Sequence, residues 1–467
     1  MGGIFASLNQ AANIMGSISE TNSQTIEAAL LKAHEVYTQK HPASNKNYAE
    51  ACKYMPGGNT RTVLFANPFP LTIDSGESCY LNTVDGNRYL DFLGEYTAAL
   101  YGHNHPEIKA AVQKALEGGW NYGAHNKLEP ILAKAVCERF PAIDLVRFVN
   151  SGTEANMMAI ATAMAVTGKK KILLFKKGYH GSTISGKVAS GKPTINLPHE
   201  FVLGTYNDVH GTEELVRSLP KESLAAILVE PMLGSGGCFA GTSEFLQTLR
   251  RLADETKAIL IFDEVMTSRL DYHGLGSKMG ITPDLMTLGK YLGGGMSFGA
   301  FGGRKDIMQL YDPRTGSLEH PGTFNNNVFT MSAGIAGHKL LTKEKLDALN
   351  TLGDTLRQKV TALLLARGIK GTMPSSPVAD DLQAAEHPQR PPKMFISGVG
   401  SLNAVHFAGP DRDVLQSLYY HHMLQSGIYM AQRGFIALNI MLTEDHVGQF
   451  VGATEAFCDK FDKFLQW

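Results

Sequence analysis

A chain of 467 residues with 43% hydrophobic content can bury a large core, and by length suggests two or three folding units. Its 43 Lys and Arg against 44 Asp and Glu leave a net charge of −1, with no basic stripe to argue for nucleic acid and no Lys/Arg-rich amphipathic segment to argue for a membrane surface. No apolar run approaches the roughly 18 residues of a membrane span, and the N-terminus lacks a charged start followed by an apolar core, so a soluble, cytoplasmic protein is expected.

In chain order, residues 1–23 are small and polar and read as frayed, after which Thr25 to Tyr37 and Asn45 to Tyr54 have helical periodicity. Arg61, the first arginine in the chain, follows in a Gly/Pro-bearing loop. Short β runs at Leu71-Ile73, Cys79-Leu81 and Tyr89-Phe92 are separated by turn signals at Ser75-Gly76 and Asp85-Gly86. Helices over about 106–117 and 128–139 lead into alternating elements: strands near 145–149, 171–175, 225–229, 258–262, 285–288 and 298–302, with helices at 152–166, 210–218 and 243–256. This alternation predicts an α/β fold, a mostly parallel sheet with helices on both faces that binds ligands at the carboxyl ends of its strands. A helical stretch from about 328 to 367 leads into a smaller α+β unit with β runs near 394–396, 403–407 and 435–440. Pro374 to Pro392 holds five prolines and few apolar residues and is expected to be a mobile surface loop. The five cysteines are dispersed without CxxC spacing, consistent with reduced thiols, and no histidine cluster has metal-ligand spacing.

Five segments carry chemistry. Strand 258–262 ends in Phe262-Asp263-Glu264, and a second strand ends in Thr287-Leu288-Gly289-Lys290. A carboxylate and an amine delivered by neighbouring strands are what a pyridoxal phosphate (PLP) site needs, the first to hold the pyridinium nitrogen protonated and the second to condense with the aldehyde. On spacing alone the pair is ambiguous, since a strand-end Asp is more often a turn or cap residue and a Gly-Lys pair more often faces solvent. Asn150-Ser151-Gly152-Thr153-Glu154-Ala155 follows an apolar strand and opens an Ala-rich helix, which suits phosphate as well as an ordinary Ser/Thr cap. Tyr179-His180-Gly181 offers an aromatic face at a strand end, and Gly322-Thr323-Phe324 lies in a polar loop before a helix.

Taken in order, these segments resemble the class III aminotransferases of PLP fold type I, from about Tyr54 to the C-terminus. Tyr101-Gly102-His103-Asn104-His105-Pro106 and Val229-Glu230-Pro231 are further matching landmarks. The resemblance implies a large domain with a mostly parallel seven-stranded sheet flanked by helices, residues 101–345, and a smaller α+β domain assembled from 1–100 and 346–467. It also implies Lys290 as Schiff-base lysine and Asp263 as partner of the pyridine nitrogen. Ser151, Gly152 and Thr153 become phosphate ligands, Tyr179 the ring-stacking residue and Val265 the apolar contact on the opposite face. Glu230 joins the cofactor set, and Thr323 becomes a phosphate ligand donated by the neighbouring subunit of a homodimer with shared active sites.

Glu264-Val265-Met266-Thr267 looks like the glutamate-1-semialdehyde aminomutase branch. Asn59-Thr60-Arg61, Glu95-Tyr96-Thr97-Ala98, Phe324-Asn325-Asn326-Asn327 and Arg433-Gly434-Phe435 are instead similar to bacterial β-phenylalanine aminotransferases. That resemblance implies Arg61 as a binder of substrate carboxylate and Arg433 as a mobile second one, although Met430-Ala431-Gln432 departs from the family pattern. Two arginines suit the chemistry, because a β-amino acid and 2-oxoglutarate hold their carboxylates at different distances from the reacting carbon and a guanidinium grips either bidentately. The expected activity is transfer of an amino group from a β-amino acid to a 2-oxo acid such as 2-oxoglutarate or pyruvate, by a ping-pong mechanism. The alternatives are an aminomutase or racemase with the same apparatus, and a catalytically retired regulator.

Overall fold

The computed structural model describes residues 25–186, 195–376 and 390–467. The fraying expected for 1–23 and most of the loop expected over 374–392 therefore lie outside the described residues. A first sheet begins with the antiparallel strands β1 (Ile73–Glu77), β2 (Tyr80–Thr83) and β3 (Arg88–Asp91). The large sheet is built from β4 (Leu145–Val149), β5 (Lys171–Phe175), β6 (Glu200–Gly204), β7 (Leu224–Val229), β10 (Ile259–Asp263), β11 (Leu285–Gly289) and β12 (Gly299–Gly303), in the order β4-β12-β11-β10-β7-β5-β6. A two-stranded pair, β8 (Met232–Leu233) and β9 (Phe239–Ala240), intervenes in the chain. Only β12 runs against its neighbours. Every residue of β7, β10 and β11 is buried, as central strands covered on both faces require.

Helices supply the cover. Gly152–Thr167 starts on Ser151, whose hydroxyl accepts from Glu154 N, and ends at Gly168 in the left-handed conformation. Its Ala155, Ala159, Ile160 and Ala163 pack into one core with β5, β7 and β10. Ser243–Thr256, capped by Thr242, buries Phe245, Leu246, Leu249 and Leu252 against the opposite face. The sheet is thus sandwiched between helices.

The terminal segments meet. β13 (Met394–Val399), β14 (Leu402–Phe407) and β16 (Phe435–Ala437) form a three-stranded antiparallel sheet, while β15 (Ile428–Tyr429) joins the first sheet in parallel beside β3, pairing Ile428 with Leu90 and Tyr429 with Asp91. Helices Arg412–Gln425 and Glu444–Phe461 bury Leu415, Leu418, Tyr419, Phe450 and Phe457 beneath them.

Three expectations change. Ser75-Gly76 is not a turn but lies within β1, and the chain reverses at Ser78, whose φ is +55°. The helical stretch over 328–367 is two helices, Val328–Leu340 and Lys343–Ala366, the second started by the Thr342 hydroxyl accepting from Lys345 N. Glu200–Gly204 is a seventh strand of the large sheet, at its edge and only partly buried.

Candidate active site

Asp263 closes β10 and Lys290 follows directly on β11, whose Thr287 pairs in register with Asp263. The Asp263 carboxylate is buried and held from three sides. Oδ2 accepts from Asn156 Nδ2 at 2.8 Å and lies 2.8 Å from His180 Nδ1, and Oδ1 accepts from Val265 N at 3.0 Å. Asn156 is itself fixed, accepting at Oδ1 from the Thr287 hydroxyl at 2.7 Å and donating to His180 O. In the sequence His180 appears only within Tyr179-His180-Gly181 and Asn156 carries no assigned role. The signal for Asn156 was its place one turn into the helix that opens at Ser151, facing the sheet.

Glycines define a cradle above this carboxylate. A Cβ on Gly152 would sit 2.8 Å from Val265 Cγ1, one on Gly289 would sit 3.2 Å from the same atom, and one on Gly181, where φ is +126°, would fall 2.4 Å from Thr153 Cγ2. The Ser151-Gly152-Thr153 turn, Val265, Gly181 and the residue before Lys290 therefore converge, and only glycine permits the approach. Tyr179 is partly exposed at the rim, its backbone N donating to Glu230 Oε1 at 2.9 Å, while Glu230 Oε2 accepts from Gly234 N. Burial pushes the Glu230 carboxyl up to about 7, with His180 opposing and Asp263 reinforcing the rise.

Lys290 adopts φ +56° and donates from Nζ to Tyr96 O at 2.6 Å. Burial lowers its amine to about 8, outweighing the opposite pull of Asp263 and Glu230, and both Arg433 and Arg61 push it down further. Tyr96 links the lysine to the arginines. The guanidinium carbons of Arg61 and Arg433 each lie 5.3 Å from the centre of its ring, Arg433 also donates to Ser235 Oγ at 2.9 Å, and Arg61 is ion-paired with Glu95. Gly94, Glu95, Tyr96 and Thr97 all have positive φ, of 53°, 46°, 51° and 84°. Asp91 Oδ1 secures this strained turn by accepting from Leu93 N and Gly94 N, and the Tyr96 hydroxyl donates to Val63 O. A cleft of about 1070 Å³ lined by Asn59, Thr60, Glu95, Gly295 and Met296 opens beside this turn.

Thr323 is not brought to the cluster within this chain. It is exposed and lines a separate cleft with Trp120, Tyr122 and Phe324, although Asn325, two residues on, accepts from Asn150 Nδ2.

The model of the class-III aminotransferase family matches residues 65–372. The chain belongs to this family. A β-phenylalanine transaminase from Variovorax paradoxus is 46% identical to this class-III aminotransferase over 92% of the chain and 96% of the relative. The crystal structure of a β-phenylalanine aminotransferase from Variovorax paradoxus superimposes with a TM-score of 0.87 at 44% identity, covering 94% of this chain and 99% of the other. A glutamate-1-semialdehyde 2,1-aminomutase from Methanosarcina acetivorans is 33% identical over 84% of this chain and 92% of its own length. The class-III aminotransferase thus has PLP fold type I: the large seven-stranded sheet of this chain with a smaller unit to which both terminal segments contribute. Among the described residues no helix is long and apolar enough to cross a membrane.

Proposed function

We propose that this PLP-dependent aminotransferase moves an amino group from a β-amino acid to a 2-oxo acid, alternating between the two substrates at one site. The observation that carries the reading is Tyr96, where the site lysine and two arginines meet. The donor set fits PLP. Ser151, Gly152 and Thr153 at a helix N-terminus suit a phosphate, the glycine-walled cradle beside Val265 suits a flat ring, and a buried carboxylate and an amine of lowered basicity suit its two reactive ends. When bound, PLP supplies an electron sink for the bonding pair of the aminated carbon.

The chain's own residues do the rest. Asp263, unable to rotate because Asn156, His180 and Val265 N hold it, keeps a proton on the ring nitrogen. Lys290, whose amine burial brings down to about 8, would act as the base that carries the proton from the aminated carbon of the donor to the C4′ carbon of the coenzyme, steered by Tyr96 O. Arg61 grips the donor's carboxylate, and Arg433 serves the second carboxylate of an acceptor such as 2-oxoglutarate. Tyr179 covers the ring and Glu230 anchors Tyr179 through its backbone.

We infer a homodimer in which Thr323 completes the partner's phosphate site, since the exposed Trp120, Tyr122 and Phe324 around it are apolar surface suited to burial between copies. The division at residues 100 and 345 belongs to the same reading.

The test is a two-stage assay. Holoenzyme given a β-amino acid alone should convert to the aminated coenzyme without forming an isomer, and added 2-oxoglutarate should then give glutamate. An isomer in the first stage, with no glutamate in the second, would establish an aminomutase instead.

A further inference from the structure

Arg61 already holds a carboxylate. Its Nη1 is paired with Glu95 Oε1, and both side chains are half exposed, at 42% and 50%. Glu95 sits in the left-handed turn beside Tyr96, whose ring carries Arg61 and Arg433 at the same 5.3 Å. Two guanidiniums against one ring repel each other, and the Glu95 anion offsets that repulsion. The contact runs through one nitrogen and one oxygen, whereas a free carboxylate can take two parallel N–H bonds from a guanidinium. Glu95 also lines the cleft of about 1070 Å³, so its side chain has room to leave Arg61 without being buried unpaired.

We propose that Glu95 is an internal stand-in for the substrate carboxylate, holding Arg61 in place while the site is empty and giving way when a donor binds. The inference rests on the reading of Arg61 as the carboxylate binder. Its consequence is that Glu95 competes with the donor, so removing its charge tightens donor binding. A residue that merely orients Arg61 would do the opposite. Because a half-exposed ion pair is weak, the competition amounts to about a two- to fivefold effect on apparent affinity.

The experiment compares holoenzymes carrying Glu95→Gln, Glu95→Asn, Arg61→Ala and the Glu95→Gln/Arg61→Ala pair, with 3-amino-3-phenylpropanoate as donor. Asn tolerates the left-handed backbone, so that variant guards against a folding defect in the first. The expected result is a KM lowered about two- to fivefold in both single Glu95 variants, a KM raised tenfold or more by Arg61→Ala, and no further change when Glu95→Gln is added to Arg61→Ala. If Arg61→Ala raises KM but the Glu95 variants raise it or leave it unmoved, the stand-in role is overturned and the carboxylate-binding role of Arg61 survives. If Arg61→Ala leaves KM unmoved, both fall together.

Discussion

Asp263 and Lys290 are the residues whose chemistry is most exposed to test. Asp263→Asn keeps the contacts to Val265 N but removes the charge opposite the ring nitrogen, so the half-reaction with donor should slow by at least about 100-fold while the cofactor remains bound. Stopped-flow absorbance with the holoenzyme checks it, and an unaltered rate would refute the role. Lys290 makes a different prediction, for the cofactor-free protein. Its amine titrates near 8 when folded and near 10.5 when unfolded, so below pH 8 both states are charged and the penalty for burying the ammonium is fully present. Between pH 8 and 10.5 the unfolded chain holds the extra proton, and stability rises with pH across that window by up to about 3 kcal/mol. The pH dependence of Tm for the wild type minus that for Lys290→Met should show this rise; a flat difference would mean the amine is not buried in the folded chain. Both residues stand out in the sequence, whereas Glu95 appears there only within the segment Glu95-Tyr96-Thr97-Ala98, with no role of its own, and Asn156 carries none. Asn156 matters through one hydrogen bond to Asp263 and another from Thr287, contacts across 107 and 131 residues of chain that no local pattern encodes.

Among the elements, the turn from β4 into Gly152–Thr167 shows how tightly the cradle is built. Alanine favours a helix over glycine, yet at Gly152 its Cβ would lie 2.8 Å from Val265 Cγ1. Gly152→Ala should therefore push Val265 into the ring's space and weaken cofactor binding by about 1–3 kcal/mol, measured by absorbance titration of the cofactor-free protein. Affinity at the wild-type level would show that the valine yields. The same physics explains what was legible. β7, β10 and β11 stand out because strands buried on both faces read as unbroken apolar runs, and their motifs sit at the ends the fold uses. Glu200–Gly204 escapes because an edge strand of five residues with a charged, exposed start has neither a long run nor clear alternation. Helices Arg412–Gln425 and Glu444–Phe461 mix aromatic and polar residues along their length, and their buried faces become evident only with β13, β14 and β16 beside them. The left-handed turn Gly94–Thr97 could not be read at all: only its first residue is a glycine, and it is held by Asp91 and by Val63 O.

For the whole molecule, a shared site makes activity a property of the pair of subunits. Mixed dimers of Lys290→Ala and Thr323→Ala should regain roughly half of wild-type activity per heterodimer, because one of the two sites then carries neither lesion. Each parent homodimer should be strongly impaired, and activity absent from the mixture, or a fully active monomer at low concentration, would exclude sharing. The pairing of β15 with β3 has a consequence in time. Ile428 and Tyr429 must reach back more than three hundred residues to dock beside Leu90 and Asp91, and Arg433 follows them to Tyr96. A chain emerging from the ribosome therefore completes its lysine and aspartate long before both carboxylate-binding arginines can flank the same ring. During synthesis the protein passes through a stage that has the reactive amine and Arg61 but not yet Arg433, the arginine that serves the acceptor's second carboxylate.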